Sequence, residues 1–167
     1  QAHWTPFEKL GDGYRLKVPA RPFPVAMLGG RVKMYLGMDF AGGLVYCFYA
    51  LTLPGDVTDD KIEGIGSSVL KSFANDGTPV VTDITYLGLK GKEIRVKKNG
   101  EDLRIRLLFH QGKMYMLLIG NSKKVIDSPV ADEWFNSLEF FEPVPLAQQP
   151  RQRHRDPING FSIMMPA

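Results

Sequence analysis

The feature that most constrains this chain is the run from Leu44 to Leu53. Along a strand, successive side chains point to opposite faces of the sheet. One alternation here is Val45, Cys47, Tyr49 and Leu51; the other is Leu44, Tyr46, Phe48 and Ala50. Both are apolar. A strand that is apolar on both faces belongs inside a sheet covered on both sides. The run is far shorter than the roughly 20 apolar residues that a membrane-spanning helix needs. Pro54-Gly55-Asp56 ends it.

Neighbouring segments supply the rest of such a sheet. Arg31 to Asp39 is strand-like and precedes the central run across Ala41-Gly42-Gly43, a hairpin break. Tyr14 to Val18 alternates and stops at Pro19. Trp4 and Phe7 read as an N-terminal anchor, and Arg21 to Pro24, with its two prolines, as a connector. Val80 to Leu89, Lys92 to Lys98 and Leu103 to Phe109 read as strands, and Met114 to Ile119 is again apolar on both faces. Asn99-Gly100 is a strong two-residue hairpin signal. Pairing Lys98 with Glu101 sets Ile94 opposite Ile105 and Val96 opposite Leu103, so the apolar residues share one face. A slip of one residue would expose them.

Two helices are expected. Thr58, Asp59 and Asp60 suit a helix start, and Ile62, Ile65, Val69, Leu70 and Phe73 follow at helical spacing. Asn75-Asp76-Gly77 and Pro79 close that helix. Asp127-Ser128-Pro129 opens a second, with Val130 and Trp134 on its inner face, and Leu138 to Phe140 ends the domain in extended form. The fold class is α+β: an antiparallel sheet flanked by helices. Cys47, Tyr49, Ile65, Val69, Phe73, Ile105, Met116 and Trp134 are the expected core.

The domain is expected to occupy residues 1–142. Residues 143–157, rich in proline, glutamine and arginine, read as a linker. Residues 158–167 read as a tail strand in which Phe161, Ile163 and Met165 alternate as an interaction face, a route to self-association. The tail also parallels an earlier segment. Asn159-Gly160-Phe161-Ser162-Ile163-Met164-Met165-Pro166-Ala167 repeats the order of Asp12-Gly13-Tyr14-Arg15-Leu16-Lys17-Val18-Pro19-Ala20. The alternatives are coincidence and the start of a second copy of the domain.

Little in the sequence points to catalysis. Net charge is +3 from 21 basic and 18 acidic residues, too mixed for a nucleic-acid binder. The lone Cys47 excludes an intramolecular disulfide and a cysteine-cluster metal site, and its apolar flanks favour packing over reactivity. His3, His110 and His154 have no zinc-ligand spacing. Gly64-Ile65-Gly66-Ser67-Ser68 falls inside the first helix, where small residues allow close helix–sheet packing; it is no phosphate loop or nucleophile elbow. Asp56, Asp59 and Asp60 lack calcium-loop spacing, and helix capping explains Asp59 and Asp60 without a metal. No catalytic residue, metal or cofactor is expected.

The basic hairpin has two readings. Arg95 and Lys97 alternate outward on one strand, Arg104 and Arg106 on the next, with Arg95 opposite Arg104. Like charges facing each other are unfavourable unless relieved, and Glu93 opposite Arg106 and Asp102 opposite Lys97 relieve them in part. One reading is a solvated, charge-laced face that discourages edge pairing. The other is a contact site for an anionic partner formed by Arg95, Lys97, Arg104 and Arg106.

Trp4, Phe7 and Gly13-Tyr14 with Pro19 and Pro22, then Tyr49 to Leu53-Pro54, resemble bacterial domains of the PsbP/Mog-like type. Leu89-Lys90-Gly91-Lys92-Glu93, Arg104 and Arg106, Lys113-Met114-Tyr115, and Trp134 to Phe140 extend the resemblance across residues 4 to 141. It implies an α/β/α sandwich, often in exported or envelope proteins and sometimes in tandem, acting as a binding or assembly module with a protein partner. Gln1-Ala2-His3 suits the mature start of an exported chain. The alternative function is a small-ligand carrier or enzyme with a dispersed site near the basic hairpin. A concave pocket with converging polar groups favours the alternative; an exposed apolar patch favours a protein partner.

Overall fold

A computed structural model describes residues 5–18, 22–27, 32–39, 44–73, 78–155 and 162–166. Its centre is a seven-stranded antiparallel sheet in the order β3-β4-β5-β9-β8-β7-β6. The strands are β3 (Phe23–Met27), β4 (Val32–Asp39), β5 (Leu44–Thr52), β6 (Val80–Tyr86), β7 (Leu89–Lys98), β8 (Glu101–His110) and β9 (Lys113–Asn121). The doubly apolar β5 lies between β4 and β9, and both its faces are in use. Tyr46 and Phe48 enter one core, Cys47 is buried on the other side, and Tyr49 is half-buried there.

The long helix α1 (Asp59–Phe73) covers one face. Ile62, Ile65, Val69 and Leu70 pack there against Ile94, Ile105, Leu107 and Met116. Thr58 caps its start, its hydroxyl accepting from the Lys61 amide at 3.4 Å. The opposite face carries a three-stranded sheet, β1 (Thr5–Lys9), β2 (Tyr14–Val18) and β10 (Glu139–Phe140), with α2 (Lys123–Ile126) and α3 (Pro129–Phe135) beside it. Tyr14, Leu16, Val18, Trp134 and Phe135 meet Tyr46, Phe48, Tyr115 and Leu117 in that second core. The architecture is helix, sheet, then mixed helix and sheet: an α+β fold with a core on each face.

Several expectations shift in detail. Arg21 to Pro24 is not merely a connector, since Phe23 and Pro24 open β3. Among the described residues that strand pairs only with β4, and a proline is tolerated on such an edge because an edge strand can spare one donor. The second helix is two short ones. Ser128 caps α3 by accepting from the Ala131 amide at 3.3 Å, and Pro129 sits in its first turn, as the sequence indicates. Val130, however, points outward, and Ala131, Trp134 and Phe135 form the inner face. Of the expected core, Cys47, Ile105, Met116 and Trp134 are buried, while Tyr49, Ile65 and Val69 are half-buried. The Phe73 side chain and the Ala41-Gly42-Gly43 turn lie outside the described residues.

Three successive hairpins turn alike. Leu87-Gly88, Asn99-Gly100 and Gln111-Gly112 all have positive φ at both positions, the geometry of two-residue turns that match strand twist. Asparagine tolerates that region at less cost than leucine. Leu87, at φ 53°, is also 59% exposed, so its side chain gains little by packing. Replacing Leu87 with Asn is expected to stabilise the protein by about 1 kcal/mol, read as a rise in urea midpoint with an unchanged m-value.

Candidate functional site

The β7–β8 register is the expected one: Arg95 pairs with Arg104, Glu93 with Arg106, and Lys97 with Asp102. What lies over this face was not expected. Helices α2 and α3 dock on it, and Arg104 and Arg106 are only 6% and 7% exposed. The outward, solvated orientation read from the alternation therefore does not hold for these two.

Glu93 is the hub. Its carboxylate accepts from Arg104 Nε at 3.1 Å, Arg104 Nη2 at 3.2 Å and Arg106 Nη2 at 3.2 Å. Arg104 Nη1 donates to Asp132 at 2.6 Å and to the Ile126 carbonyl at 3.2 Å. Arg106 Nη1 donates to the Phe135 carbonyl at 2.9 Å and to Asn136 Oδ1 at 3.0 Å. The two carbonyls close α2 and α3, where the last turn of a helix leaves acceptors unmatched. Both guanidinium groups also lie over the Phe135 ring, at 4.6 and 5.1 Å from its centroid. Arg95, at the edge of the cluster, pairs with Asp127 and lies 3.4 Å from Glu93. Lys97 is exposed beyond it.

The electrostatics follow from this packing. Burial alone would raise the Glu93 pKa, but the two guanidinium groups outweigh it and hold the carboxyl below its ordinary value. Burial alone would lower Arg104; hydrogen bonds to Asp132 and Glu93 reverse that and raise it. Arg95 holds Asp127 below the usual carboxylate range. The guanidinium donors that sequence offers to an outside anion at Arg104 and Arg106 are directed to groups of the same chain, except Arg106 Nε, which is buried without a partner.

A groove runs along the other face, beside α1. One part, about 380 Å³, is lined by Asp59, Ile62, Glu63, Asp83, Lys90 and Lys92 among others. A second part, about 470 Å³, shares Asp59, Ile62 and Lys90 and reaches His110 and Gln111. Both of its lysines are paired with carboxylates. Lys92 Nζ lies 2.6 Å from Glu63 and 2.9 Å from Asp83, and Lys90 Nζ lies 2.9 Å from Asp59. The Lys92 stem packs over Gly66, where an added Cβ would come within 3.0 Å of it. Gly66 thus serves the close helix–sheet approach read from the sequence, whereas Gly64 faces open space. The His110 ring lies 4.6 Å from that of Phe140. Among the described residues, no three His, Cys, Asp or Glu side chains gather to hold a metal.

The third feature is apolar. Leu36, Met38 and Val45 are 37%, 52% and 43% exposed. Met38 pairs with Val45 and Leu36 with Cys47, so the strip is continuous across β4 and β5. By strand alternation it lies on the face that α1 covers farther along the sheet. Cys47, at its inner margin, is buried, and burial pushes its thiol up to about 12. A thiol so protonated is a packing group.

Of the tail residues, Phe161 lies outside the described residues, and Ile163 and Met165 fall in β12 (Ser162–Pro166). That strand pairs antiparallel with β11 (Arg151–Arg155), a strand inside the stretch read as a linker. The tail thus forms a two-stranded ribbon with the segment before it and does not add to the seven-stranded sheet.

No family model matches the chain, and no curated protein matches it. Solved structures do. A cyanobacterial PsbP (CyanoP) from Synechocystis sp. PCC 6803 superposes with a TM-score of 0.60 at 14% identity, over 84% of this chain and 94% of that one. A protein from Bacteroides thetaiotaomicron VPI-5482 gives 0.52 at 11% identity, over 92% of this chain and 54% of that one. A Pseudomonas aeruginosa protein of unknown function, a putative regulator, gives 0.46 at 12% identity. At such identities the likeness is one of fold, and the fold it gives this chain is PsbP-like.

Proposed function

We propose that this chain is a non-catalytic binding or assembly module of an exported or envelope protein, and that it holds a protein partner against the open end of its sheet. The observation that carries this reading is the exposed strip of Leu36, Met38 and Val45. Apolar side chains contiguous across two strands lose water contact only when something covers them, and protein partners supply such cover. The groove beside α1 supports a small-ligand site less well, because its lysines and carboxylates already pair with one another. The exported setting rests on the family resemblance of residues 4 to 141.

The test compares three full-length proteins in pull-downs from native extract: wild type, Met38→Lys with Val45→Lys, and Glu63→Gln. The two lysine changes are surface changes, which shift stability by about 0.5 kcal/mol or less. Glu63→Gln takes one of two carboxylates from the buried Lys92, which keeps Asp83. The pull-downs are therefore compared at a temperature where melting curves show all three proteins folded. The expected result is one partner kept by wild type and by Glu63→Gln and lost by the double-lysine variant. A partner kept by the double-lysine variant and lost by Glu63→Gln would move the site into the groove and overturn the reading.

A further inference from the structure

The two terminal hairpins are built to the same register. In the first, Thr5 pairs with Val18, Phe7 with Leu16 and Glu8 with Arg15. In the second, Gln152 pairs with Met165, His154 with Ile163 and Arg155 with Ser162. Adding 147 to every residue number of the first set gives the second set, on both strands. The same offset of 147 carries Asp12-Gly13-Tyr14 onto Asn159-Gly160-Phe161, and Pro19-Ala20 onto Pro166-Ala167.

These are separate observations. The sequence likeness lies in the second strand and its approach alone. At the matched positions the first strands read Thr5-Pro6-Phe7-Glu8 and Gln152-Arg153-His154-Arg155 and share no residue, so sequence likeness did not impose their pairing. A strand of that length has several registers open to it, and it takes the one that the offset requires. The glycine has a physical reason to recur. Gly13 sits at φ 74°, and an added Cβ would come within 2.5 Å of the Phe141 carbonyl oxygen. Only glycine fits such a backbone. Gly160 stands at the matching position.

We propose that β11–β12 is the opening hairpin of a second copy of this fold, and that its cover is the aromatic sheet face of that copy. The first copy shows what such a hairpin needs. Tyr14, Leu16 and Val18 are buried, with the Tyr14 ring 5.1 Å from Phe48 and 5.7 Å from Tyr115, and β10 pairs along the outer edge of β2. Phe161, Ile163 and Met165 take those three positions in the repeat. The Pro143 to Pro150 stretch would then join two modules in tandem and present two open sheet ends on one polypeptide.

The test transplants the hairpin within the full chain. In one variant, residues 3–20 are replaced by a copy of residues 150–167, leaving length and C-terminus unchanged. In a second, only residues 12–20 are replaced, by a copy of 159–167. Each has a control in which the inserted residues are shuffled. The first variant loses Trp4, so Trp134 alone reports burial by its emission. The expected result is a cooperative melt and a blue-shifted Trp134 for at least one transplant, with both lost in its shuffled control. If neither transplant melts more cooperatively than its shuffled control, β11–β12 cannot serve as the opening hairpin and the proposal falls.

Discussion

Replacing Glu93 with alanine is expected to lower the unfolding free energy by about 3–5 kcal/mol, the cost of stripping a buried ion cluster of one sign. Glu93 is the carboxylate that both Arg104 and Arg106 share, and its side chain is 14% exposed. Without it Arg104 keeps Asp132, but the acceptors left to Arg106 are the Phe135 carbonyl and Asn136, both uncharged. The loss therefore falls hardest on Arg106. Denaturant melts of Glu93→Ala and Glu93→Gln would measure it, and Gln should recover part of the loss by keeping one acceptor. Replacing Glu93, Arg104 and Arg106 together by apolar residues of similar volume should cost far less than Glu93→Ala. Equal losses in the two would mean that packing, and not charge pairing, holds this face.

The same carboxylate gives the prediction a pH signature. Its folded pKa is lowered below the ordinary value of 4.5. A group lowered on folding stabilises the protein fully above its unfolded-state pKa and loses that contribution as pH falls through the folded value. Wild type should therefore lose stability below about pH 4.5 more steeply than Glu93→Gln. The difference between the two should be flat from there to neutrality.

How far the sequence foretold this depends on which question is put to it. Strand alternation placed Ile94 opposite Ile105 and Arg95 opposite Arg104, because a one-residue slip would have turned the apolar set outward. Alternation assigns a side chain to a face; it does not say what covers that face. The cover over Arg104 and Arg106 is α2 and α3, of four and seven residues, too short to print a periodic stripe. The one available signal was Glu93, a single acid facing two arginines. The Leu87-Gly88 turn was hidden for a different reason: leucine is not a turn residue, so Val80 to Leu89 reads as one strand. Strand β11 is Arg-Gln-Arg-His-Arg, with no apolar alternation, and only its pairing with β12 reveals it. The exposed strip on β4 and β5 was beyond reach because burial depends on where α1 ends across the sheet.

The second large effect is expected at Trp134, the residue that fixes α3 from the other side. An isolated helix of seven residues is not stable in water, so α3 depends on what it touches. Trp134 is fully buried, with its ring 5.7 Å from Tyr46 and 5.1 Å from Phe135. Truncation to alanine should cost about 3–5 kcal/mol, transfer and cavity together. Trp134→Phe should cost much less. It keeps most of the volume, and it removes an indole N–H that is buried without a partner, an arrangement that itself costs about 1–3 kcal/mol. Phe135, next in the chain, offers its ring and its carbonyl to the arginine cluster, so the apolar and the charged holds on α3 share a residue. Trp134→Ala and Glu93→Ala should therefore not add. Once either hold is lost, α3 is already loosened, and the second change should cost less than it does alone, by about 0.5–3 kcal/mol. A double-mutant cycle read by urea denaturation measures that coupling. Strict additivity would show that α3 is held by its apolar face and its arginine contacts independently.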